Sequence, residues 1–194
     1  MKIYDISQEV FSCKTYPGDP KPEKQIISSI NDGNLYNLSE FSMCAHNGTH
    51  IDSPFHFLNT GNTVEQIELN RFIGPCYVAV HNGILNKSDA INILNKAGKE
   101  SRKRILIKGD SVVSVEAARI FSKENIYLIG NESQSVGPEN SPMEVHIELL
   151  SADIVILEGI VLNNVCEGEY FLCAQPLNLS GADGSPCRAV LIEL

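Results

Sequence analysis

Residues 104–130 read RILIKGDSVVSVEAARIFSKENIYLIG, and this stretch decides the class of fold. It begins with the apolar run 104–108, continues with an amphipathic segment from Ser114 to Lys123, and closes with a second apolar run at 125–130. The short apolar runs are typical of strands, and the spacing in the middle segment predicts a helix with Ser114 as its N-cap. A strand, a helix and a strand in succession indicate parallel β-structure in an α/β layer.

The alternation continues on both sides of this stretch. Residues 74–81 predict a strand, and Ser88 is the expected N-cap of the helix that follows it. Farther along, residues 141–144 have the pattern of a capping box, with Ser141 as N-cap and Pro142 at the first helical position. Helices and strands that take turns along the chain favour a sheet with helices packed on it.

Further strands are predicted toward both ends of the chain, at residues 2–10, 24–30, 35–43, 154–162, 170–174 and 188–192. The pair 24–30 and 35–43 forms a hairpin around residues 31–34, and the near-continuous apolar run 154–162 predicts a strand covered on both faces. A length of 194 residues is enough for one full core. The prediction is an α/β fold, with a mixed sheet and flanking helices in a single domain over residues 1–194.

Composition argues against several classes of function. The net charge is −9, the pI is near 5.0 and no basic cluster exceeds residues 102–104, so a nucleic-acid partner is not expected. No apolar run reaches the roughly 18 residues of a membrane span. Six cysteines are scattered without a CxxC pair, and the chain opens on charge rather than on a signal peptide. We therefore expect reduced thiols, a cytoplasmic location and no membrane partner.

Residues 46–56 read HNGTHIDSPFH and hold three of the five histidines of the chain. Four side chains in this segment can bind a metal, and all four stand at even-numbered positions: His46, His50, Asp52 and His56. In an extended chain they would point to the same face, whereas Gly48 and Pro54 argue against the competing helical interpretation. Imidazole and carboxylate together suit Zn, Mn or Fe.

Two of these histidines can share an ion only if the chain bends. A straight strand would place the Cα atoms of His46 and His50 roughly 13 Å apart, whereas metal–ligand distances are about 2.0–2.2 Å. We therefore expect a bend at Asn47-Gly48, where glycine permits it.

Glu158 is the second unusual residue, because a carboxylate inside the apolar run 154–162 is expected to be buried. A buried charge must be paired, neutralised or bound to a metal, so a salt-bridged structural glutamate and a metal ligand both remain open. His146 lies twelve residues upstream on the preceding helix. Packing of that helix on the strand can place His146 beside Glu158.

The candidate ligands together exceed one four-coordinate zinc site, and they are His46, His50, Asp52, His146 and Glu158. Two ions bridged by Asp52 would use all five and leave positions for water and substrate. His56 remains as a candidate acid–base catalyst, since imidazole titrates near neutrality; the alternative is a loop histidine packed on its aromatic neighbours. Cys44 is a further candidate ligand, and His81 is expected to be structural or at the surface.

The segment from His46 to His56 resembles the hallmark His-x-Gly-Thr-His-x-Asp-x-Pro-x-His of the metal-dependent cyclase family, which includes kynurenine formamidases and isatin hydrolases. Other stretches along the chain resemble signatures of that family, among them Tyr16-Pro17-Gly18-Asp19, Leu157-Glu158-Gly159 and Asp183-Gly184-Ser185-Pro186. The resemblance implies a swivelling β/β/α fold and a homodimer or homotetramer.

The resemblance also implies roles for the site residues. His56 is the implied acid–base catalyst. The implied metal ligands form two groups around the shared Asp52, with His46 and His50 in one and His146 and Glu158 in the other. The implied cofactor is one or two Zn²⁺ ions, with Mn²⁺ as the alternative, since formamidases of the family look dinuclear with zinc and isatin hydrolases look mononuclear with manganese.

Three departures from the formamidase pattern border the expected substrate site. The chain has no Trp, although formamidases carry one in the stretch that reads Tyr16-Pro17-Gly18-Asp19 here. Residues 132–136 read ESQSV where the family has Asp-Thr-Pro-Ser-Val, and residues 108–110 read KGD where Thr-Gly is usual.

We expect a metal-dependent hydrolase of an amide C–N bond, arylformamidase-like, that converts N-formylkynurenine to kynurenine and formate. One alternative is hydrolysis of a cyclic amide or lactone at the same site. Another is a catalytically silent protein that binds a metal or a small molecule, against which the additional His56 counts. Activity on N-formylkynurenine, on isatin-like lactams or on neither would separate the three.

Overall fold

The computed structural model describes residues 1–193, and within that range the chain forms thirteen strands and three α-helices. The helices are α1 (Lys87–Lys96), α2 (Val115–Lys123) and α3 (Met143–Ser151). The strands, in chain order, are β1 (Lys2–Asp5), β2 (Glu23–Ser28), β3 (Leu38–Ser42), β4 (His50–Asp52), β5 (Ile73–Val80), β6 (Gly83–Leu85), β7 (Arg104–Lys108), β8 (Ser111–Val113), β9 (Leu128–Asn131), β10 (Val155–Glu158), β11 (Gly168–Cys173), β12 (Gly184–Pro186) and β13 (Val190–Glu193).

Nine strands form one mixed sheet in the order β1-β13-β11-β5-β7-β9-β10-β4-β12. Its centre is parallel, because β5, β7, β9 and β10 run in the same direction. Antiparallel strands flank this centre, with β11, β13 and β1 on one side and β4 and β12 on the other. The mixed α/β architecture that the alternating pattern predicts is confirmed.

The central strands separate two layers of apolar side chains, because successive residues of a strand face opposite sides of the sheet. In β7, Ile105 and Ile107 pack with the helices, whereas Leu106 packs in the opposite layer with Ile51 and Phe72. All five side chains are fully buried, and burial of each contributes about 1.5–3 kcal/mol. The apolar run of β7 is therefore explained by burial on both faces.

Two of the helices begin at a side-chain cap. The Ser114 hydroxyl accepts a hydrogen bond from the Ala117 backbone N–H at 3.2 Å, so the predicted cap of α2 is confirmed. The cap predicted for α1 at Ser88 is wrong. Asn86 is the N-cap because its side chain accepts bonds from the N–H groups of Ser88 and Asp89, and the Asp89 carboxylate accepts the Asn86 N–H in return.

The capping box predicted for α3 is also wrong. Pro142 is the N-cap of α3, and no side chain among residues 1–193 caps this helix. The Pro142 carbonyl accepts the backbone N–H of His146 at 3.2 Å and lies 2.8 Å from its Nδ1. The start of the helix therefore orients His146. None of the helices within residues 1–193 has the length and apolar character to cross a lipid bilayer.

The apolar run 154–162 does not form one strand. β10 ends at Glu158, and Gly159 turns the chain with a φ of +66°. The N–H groups of Gly159 and Ile160 donate to the carbonyls of Ser133 and Asn131 at 2.8 and 3.1 Å, so the run continues as a buried loop. Glu158 therefore lies at the end of a buried strand.

The other differences concern strand length. The strand predicted at 2–10 ends at Asp5, and the hairpin strands predicted at 24–30 and 35–43 are shorter than expected, while the strand predicted at 125–130 begins at Leu128. The three-residue strands β6, β8 and β12 have no counterpart among the predictions, because three residues are too few to establish a period. Of the segment 46–56, for which the even-numbered spacing predicts an extended chain, only β4 is a strand, since the chain turns at 45–49 and forms a 3-10 helix at 54–56. β4 positions the site, since it lies between β10 and β12.

β2 and β3 form a separate antiparallel hairpin. Both strands are almost entirely exposed, and Phe41 of β3 meets Phe11 edge to face at 6.3 Å between ring centroids. The tip of this hairpin carries Ile30, Leu35 and Tyr36, and Leu35 is 95% exposed. Large apolar side chains thus face solvent at a loop tip, where polar residues are usual.

Candidate metal centre

Residues 45–49 form a tight turn just before β4. Gly48 has a φ of +65°, a left-handed conformation that glycine adopts without steric cost. The Asn47 side-chain oxygen accepts a hydrogen bond from the Cys44 N–H at 2.8 Å and stabilises the turn. The turn brings the rings of His46 and His50 to 5.1 Å between centroids. The bend predicted at Asn47-Gly48 is confirmed.

His46, His50 and Asp52 form the first group of candidate ligands. Asp52 Oδ1 lies 2.8 Å from His46 Nδ1 and 3.3 Å from His50 Nε2. His50 and Asp52 are almost completely buried in β4. One ligand atom from each of the three residues lies within 4.8 Å of the others. That spacing suits three ligands of one ion, each at about 2.0–2.2 Å from it.

Asp52, His146 and Glu158 form the second group. His146 Nε2 lies 3.6 Å from Asp52 Oδ2 and 3.3 Å from Glu158 Oε1. All three side chains are buried. α3 and β10 bring His146 and Glu158 together, as their spacing in the sequence suggests. Glu158 Oε2 also lies 3.6 Å from His50 Nε2, so the two groups are adjacent.

Asp52 belongs to both groups, and its environment suits a cation. Its Oδ2 is buried and has no hydrogen-bond partner within residues 1–193. Such an unpaired buried atom costs about 1–3 kcal/mol, which a cation between the groups would offset. The nitrogen and oxygen donors are those that Zn²⁺ accepts, and Mn²⁺ also suits them. The structure brings all five predicted ligands into one cluster, and their role as ligands stays a prediction.

Backbone contacts orient these side chains from behind. His50 Nδ1 lies 3.0 Å from the Gly48 carbonyl, and His146 Nδ1 lies 2.8 Å from the Pro142 carbonyl. With Nδ1 occupied, each ring turns its Nε2 toward the cluster. Supporting contacts of this kind fix the tautomer and orientation of histidines that bind metals.

The charges of the cluster are strongly coupled. Burial opposes the positive charge of His46, but Asp52 and Asp183 outweigh it and raise the pKa of His46 to about 9. Burial likewise opposes the negative charge of Asp52, but His46 and His50 hold its pKa well below the usual range. Burial and the nearby Asp52 charge raise the pKa of Glu158. In the metal-free cluster, bound protons therefore balance the negative charge of the carboxylates, as a metal cation would.

His56 lies beside the first group. Its ring stacks on His46 at 4.0 Å between centroids and meets Phe57 edge to face at 4.6 Å. Its Nδ1 lies 3.3 Å from Asp183 Oδ2, and the same oxygen lies 2.9 Å from His46 Nε2. His46, His56 and Asp183 therefore form a third, less buried group of ligand types. Burial lowers the pKa of His56, which favours a neutral ring near pH 7.

Asp183 is the site residue that sequence reasoning missed. It precedes β12, where Gly184 pairs with Asp52 of β4, so the strand register brings it beside the cluster. A side chain at Gly184 would collide with the His46 ring. The sequence signal for Asp183 is the stretch Asp183-Gly184-Ser185-Pro186, which resembles a family signature. The stretch holds a single ligand-type residue, so no spacing between ligands marks it as part of a metal site.

The remaining candidates lie outside both groups around Asp52. Cys44 Sγ is 3.8 Å from Asp19 Oδ2. His81 contacts Ser111 Oγ at 2.8 Å and lies 3.5 Å from Asp89, so it lies apart from the cluster.

A cavity of about 270 Å³ opens onto the cluster. His46, His50, His146, Glu158 and His56 all line it. The remaining wall is formed by Tyr16, Asp19, Cys44, Phe57, Gln134, Ser135 and Pro142. A small molecule in this cavity would reach the candidate ligands and His56 together. We refer to it as the inner cavity.

Residues 4–138 match the family described as "Putative cyclase". Kynurenine formamidase from Bacillus anthracis is 33% identical over 204 residues, which cover 98% of this chain and 97% of that relative. Kynurenine formamidase from Erythrobacter litoralis is 32% identical over 207 residues, which cover 100% of this chain and 94% of that relative.

Solved structures share the same fold. A "predicted metal-dependent hydrolase" from Bacillus stearothermophilus superposes with a TM-score of 0.82 at 29% identity and covers 98% of this chain and 97% of its own. Isatin hydrolase A from Labrenzia aggregata superposes with a TM-score of 0.85 at 20% identity and covers 98% of this chain and 93% of its own. The swivelling β/β/α fold that the motif implies is thus confirmed. With this fold, a family match over most of its length and relatives above 30% identity, the chain belongs to the cyclase family of hydrolases.

Proposed function

We propose that the protein is a metal-dependent hydrolase of an amide C–N bond, arylformamidase-like, which converts N-formylkynurenine to kynurenine and formate. One observation carries the proposal, namely that two ligand groups, buried except for the partly exposed His46, share Asp52 beside His56, a histidine outside both. The choice of an aryl formamide is supported by relatives at 32–33% identity that are named kynurenine formamidase.

Each ligand group would hold one metal ion. His46 and His50 would bind the first with Asp52, and His146 and Glu158 would bind the second with the same aspartate. We propose Zn²⁺ as the metal and keep Mn²⁺ as the alternative, because the nitrogen and oxygen donors suit both. When bound in such a site, ions of this kind lower the pKa of a coordinated water toward neutrality and polarise a carbonyl group.

His56 is the residue that we assign to proton transfer. Its Nδ1 lies 3.3 Å from Asp183 Oδ2, which favours the tautomer with the proton on Nδ1 and leaves Nε2 as an acceptor. The neutral ring takes a proton from the attacking water and returns it to the amine nitrogen as the C–N bond breaks. One water is consumed, and formate and the free amine leave.

The inner cavity offers flat surfaces for an aromatic substrate. Phe57 stacks on His146 at 4.7 Å between centroids. The Tyr16 hydroxyl donates to the Glu139 carbonyl at 3.0 Å, which anchors its ring at the cavity wall. Aromatic rings pair favourably in stacked and edge-on arrangements, and Tyr16 belongs to the stretch in which formamidases carry a Trp.

Assays on metal-loaded protein test this function. Purified protein is loaded with Zn²⁺ or Mn²⁺, its metal content is measured, and N-formylkynurenine, isatin and a lactone are supplied in turn. We expect kynurenine and formate in equal amounts. Ring opening of isatin without formamide hydrolysis would favour the cyclic-amide alternative, and no turnover of any substrate by fully loaded protein would contradict the enzyme.

The homodimer implied by the family resemblance is part of the proposal, and the hairpin of β2 and β3 supports it. A two-stranded hairpin is marginally stable by itself. At its tip, Leu35 is 95% exposed, and Ile30 and Tyr36 are exposed as well. A second copy of the chain that packs on this tip would bury these apolar groups. A homotetramer would need an additional surface.

Sedimentation velocity tests the dimer. Leu35→Lys places a charge where the apolar contact is proposed and should shift the chain toward monomers. Ile84→Lys is the matched control, since Ile84 is 72% exposed and lies on β6, outside the hairpin. A dimer that survives Leu35→Lys unchanged would contradict the hairpin contact.

The cytoplasmic location also remains a proposal. The cysteines at 13, 44, 76, 166, 173 and 187 are all free thiols. Reduced cysteines are the usual state in the cytosol.

A further inference from the structure

A second cavity of about 470 Å³ lies beside the inner cavity, and we refer to it as the outer cavity. The two cavities share a wall formed by Tyr16, Gln134 and Ser135, since each of these residues lines both. The two cavities are therefore adjacent, and the outer cavity is the space into which a substrate longer than the inner cavity would extend.

The shared wall carries polar atoms without a hydrogen-bond partner in the part of the chain that the structure describes. The Gln134 Oε1 and Nε2 atoms and the Ser135 Oγ are buried, and none of them has a hydrogen-bond partner within residues 1–193. Ser135 is only 5% exposed. Buried polar groups are nearly always paired in folded proteins. The three atoms belong to two residues that line both cavities, and a ligand there would pair with them once these side chains turn toward it.

The wall is held in place by its backbone. The Ser135 N–H donates to Ser133 Oγ at 3.2 Å, and the Ser135 carbonyl accepts from Asn131 Nδ2 at 3.0 Å. The next residue, Val136, donates its N–H to Glu158 Oε1 at 2.7 Å. The backbone of Ser135 and Val136 is therefore fixed relative to Glu158, a predicted metal ligand.

The outer cavity offers charges of both signs. Lys14 brings a positive charge to its lining, and Asp110 and Glu139 bring negative charges. The Glu132 carboxylate is engaged by the backbone, since it accepts the N–H groups of Gly109 and Leu162 at 2.7 and 2.8 Å. A zwitterionic group suits this lining, with its carboxylate toward Lys14 and its ammonium toward the free acids.

We propose that Gln134 and Ser135 are specificity-determining residues, and that they hydrogen-bond the part of the substrate that joins the scissile amide to a charged tail in the outer cavity. This assignment rests on the proposed function, because it takes the scissile amide to lie at the metal centre. It selects aryl formamides that carry an amino-acid side chain over bare aryl formamides.

Two substrates with the same scissile bond test the assignment. N-formylkynurenine carries the amino-acid tail, and formanilide lacks it. The measured quantity is the ratio of kcat/KM for the first to kcat/KM for the second, on metal-loaded, full-length protein. Gln134→Leu removes both amide atoms and should lower this ratio about tenfold, the effect of losing a neutral hydrogen bond or two.

Three further variants make the test specific. Ser135→Ala removes only an unpaired hydroxyl and should lower the ratio about threefold to tenfold, even if Gln134→Leu fails to fold. Lys14→Gln should lower it as well, because the carboxylate of the tail loses its counter-charge. Gln175→Leu is the control, since Gln175 is exposed and lines neither cavity, and it should leave the ratio unchanged.

The outcomes separate this assignment from the proposed function. If wild type cleaves both substrates and the ratio is unchanged in folded, metal-loaded Gln134→Leu and Ser135→Ala, the assignment is overturned and the proposed function stands. If metal-loaded wild type cleaves neither substrate, the proposed function is overturned and the assignment with it.

Discussion

Glu158 stands directly opposite His50 in the antiparallel pairing of β10 with β4. Facing residues of an antiparallel pair project from the same side of the sheet, and here Glu158 Oε2 lies 3.6 Å from His50 Nε2. The two ligand groups are therefore joined by strand register. The histidine segment supplies one group and the shared Asp52, and the C-terminal half of the chain completes the other.

Glu158→Gln should empty one of the two proposed metal positions. Glutamine keeps an oxygen for the Val136 N–H, which Glu158 accepts at 2.7 Å, but it lacks the negative charge. Changes to residues that merely support a metal ligand cost about 10–100-fold in affinity, so loss of a direct ligand should cost at least about 100-fold. Metal content per chain, measured by elemental analysis, should fall by about half.

Asp52→Asn is expected to reduce binding at both positions, because Asp52 belongs to both groups. Glu144→Gln is the control, since Glu144 is exposed on α3. Full metal content in Glu158→Gln would remove Glu158 from the ligand set.

His56→Ala should retain its metal and lose turnover. General acid–base catalysis contributes about 10²–10⁴-fold, so kcat should fall by that factor while metal content stays at the wild-type value. His81→Ala is the matched control, since His81 contacts Ser111 outside the site. Loss of metal in His56→Ala would instead make His56 a ligand, in the group that it forms with His46 and Asp183.

Local patterns predicted the parts of this protein that depend on neighbouring residues. The spacing of apolar residues over a short stretch predicts the strand–helix–strand order around β7 and α2. The bend at Gly48 followed from the requirement that His46 and His50 share an ion. The association of His146 with Glu158 followed from their positions on a helix and on the strand that packs against it.

The features that local patterns do not predict depend on contacts between residues far apart in the sequence. Asp183 reaches the cluster because β12 pairs with β4, and neither three-residue strand has a pattern of its own. β10 stops at Glu158 although apolar residues continue, because Gly159 turns and its N–H pairs with Ser133. A buried loop and a buried strand have the same apolar composition, so only the hydrogen-bond partners distinguish them.

Gly159→Ala should destabilise the fold more than a simple backbone effect explains. A left-handed φ of +66° costs an alanine about 1–2 kcal/mol, and a side chain here would also collide with the Gly48 carbonyl and the Gln134 amide. We expect a total loss of about 3 kcal/mol or more in the free energy of unfolding by urea. Gly181→Ala is the control, because Gly181 has a φ of +75° and open space around it. Equal losses in the two variants would contradict the close approach at Gly159.

Metal uptake should depend on pH through His46. In the metal-free fold, Asp52 and Asp183 outweigh burial and raise the pKa of His46 to about 9 from the ordinary value of 6.5. The protonated ring therefore stabilises the metal-free fold fully below pH 6.5, and this contribution is lost as the pH rises through about 9. A metal binds only the neutral ring, so the apparent affinity for Zn²⁺ in a chelator buffer should rise between pH 7 and 9 and then level off.

Titration calorimetry in buffers of different ionisation enthalpy should detect about one proton or more released per chain at pH 7 and fewer above pH 9. A pH-independent affinity without proton release would mean that His46 is already neutral at pH 7, and that Asp52 and Asp183 do not hold its proton.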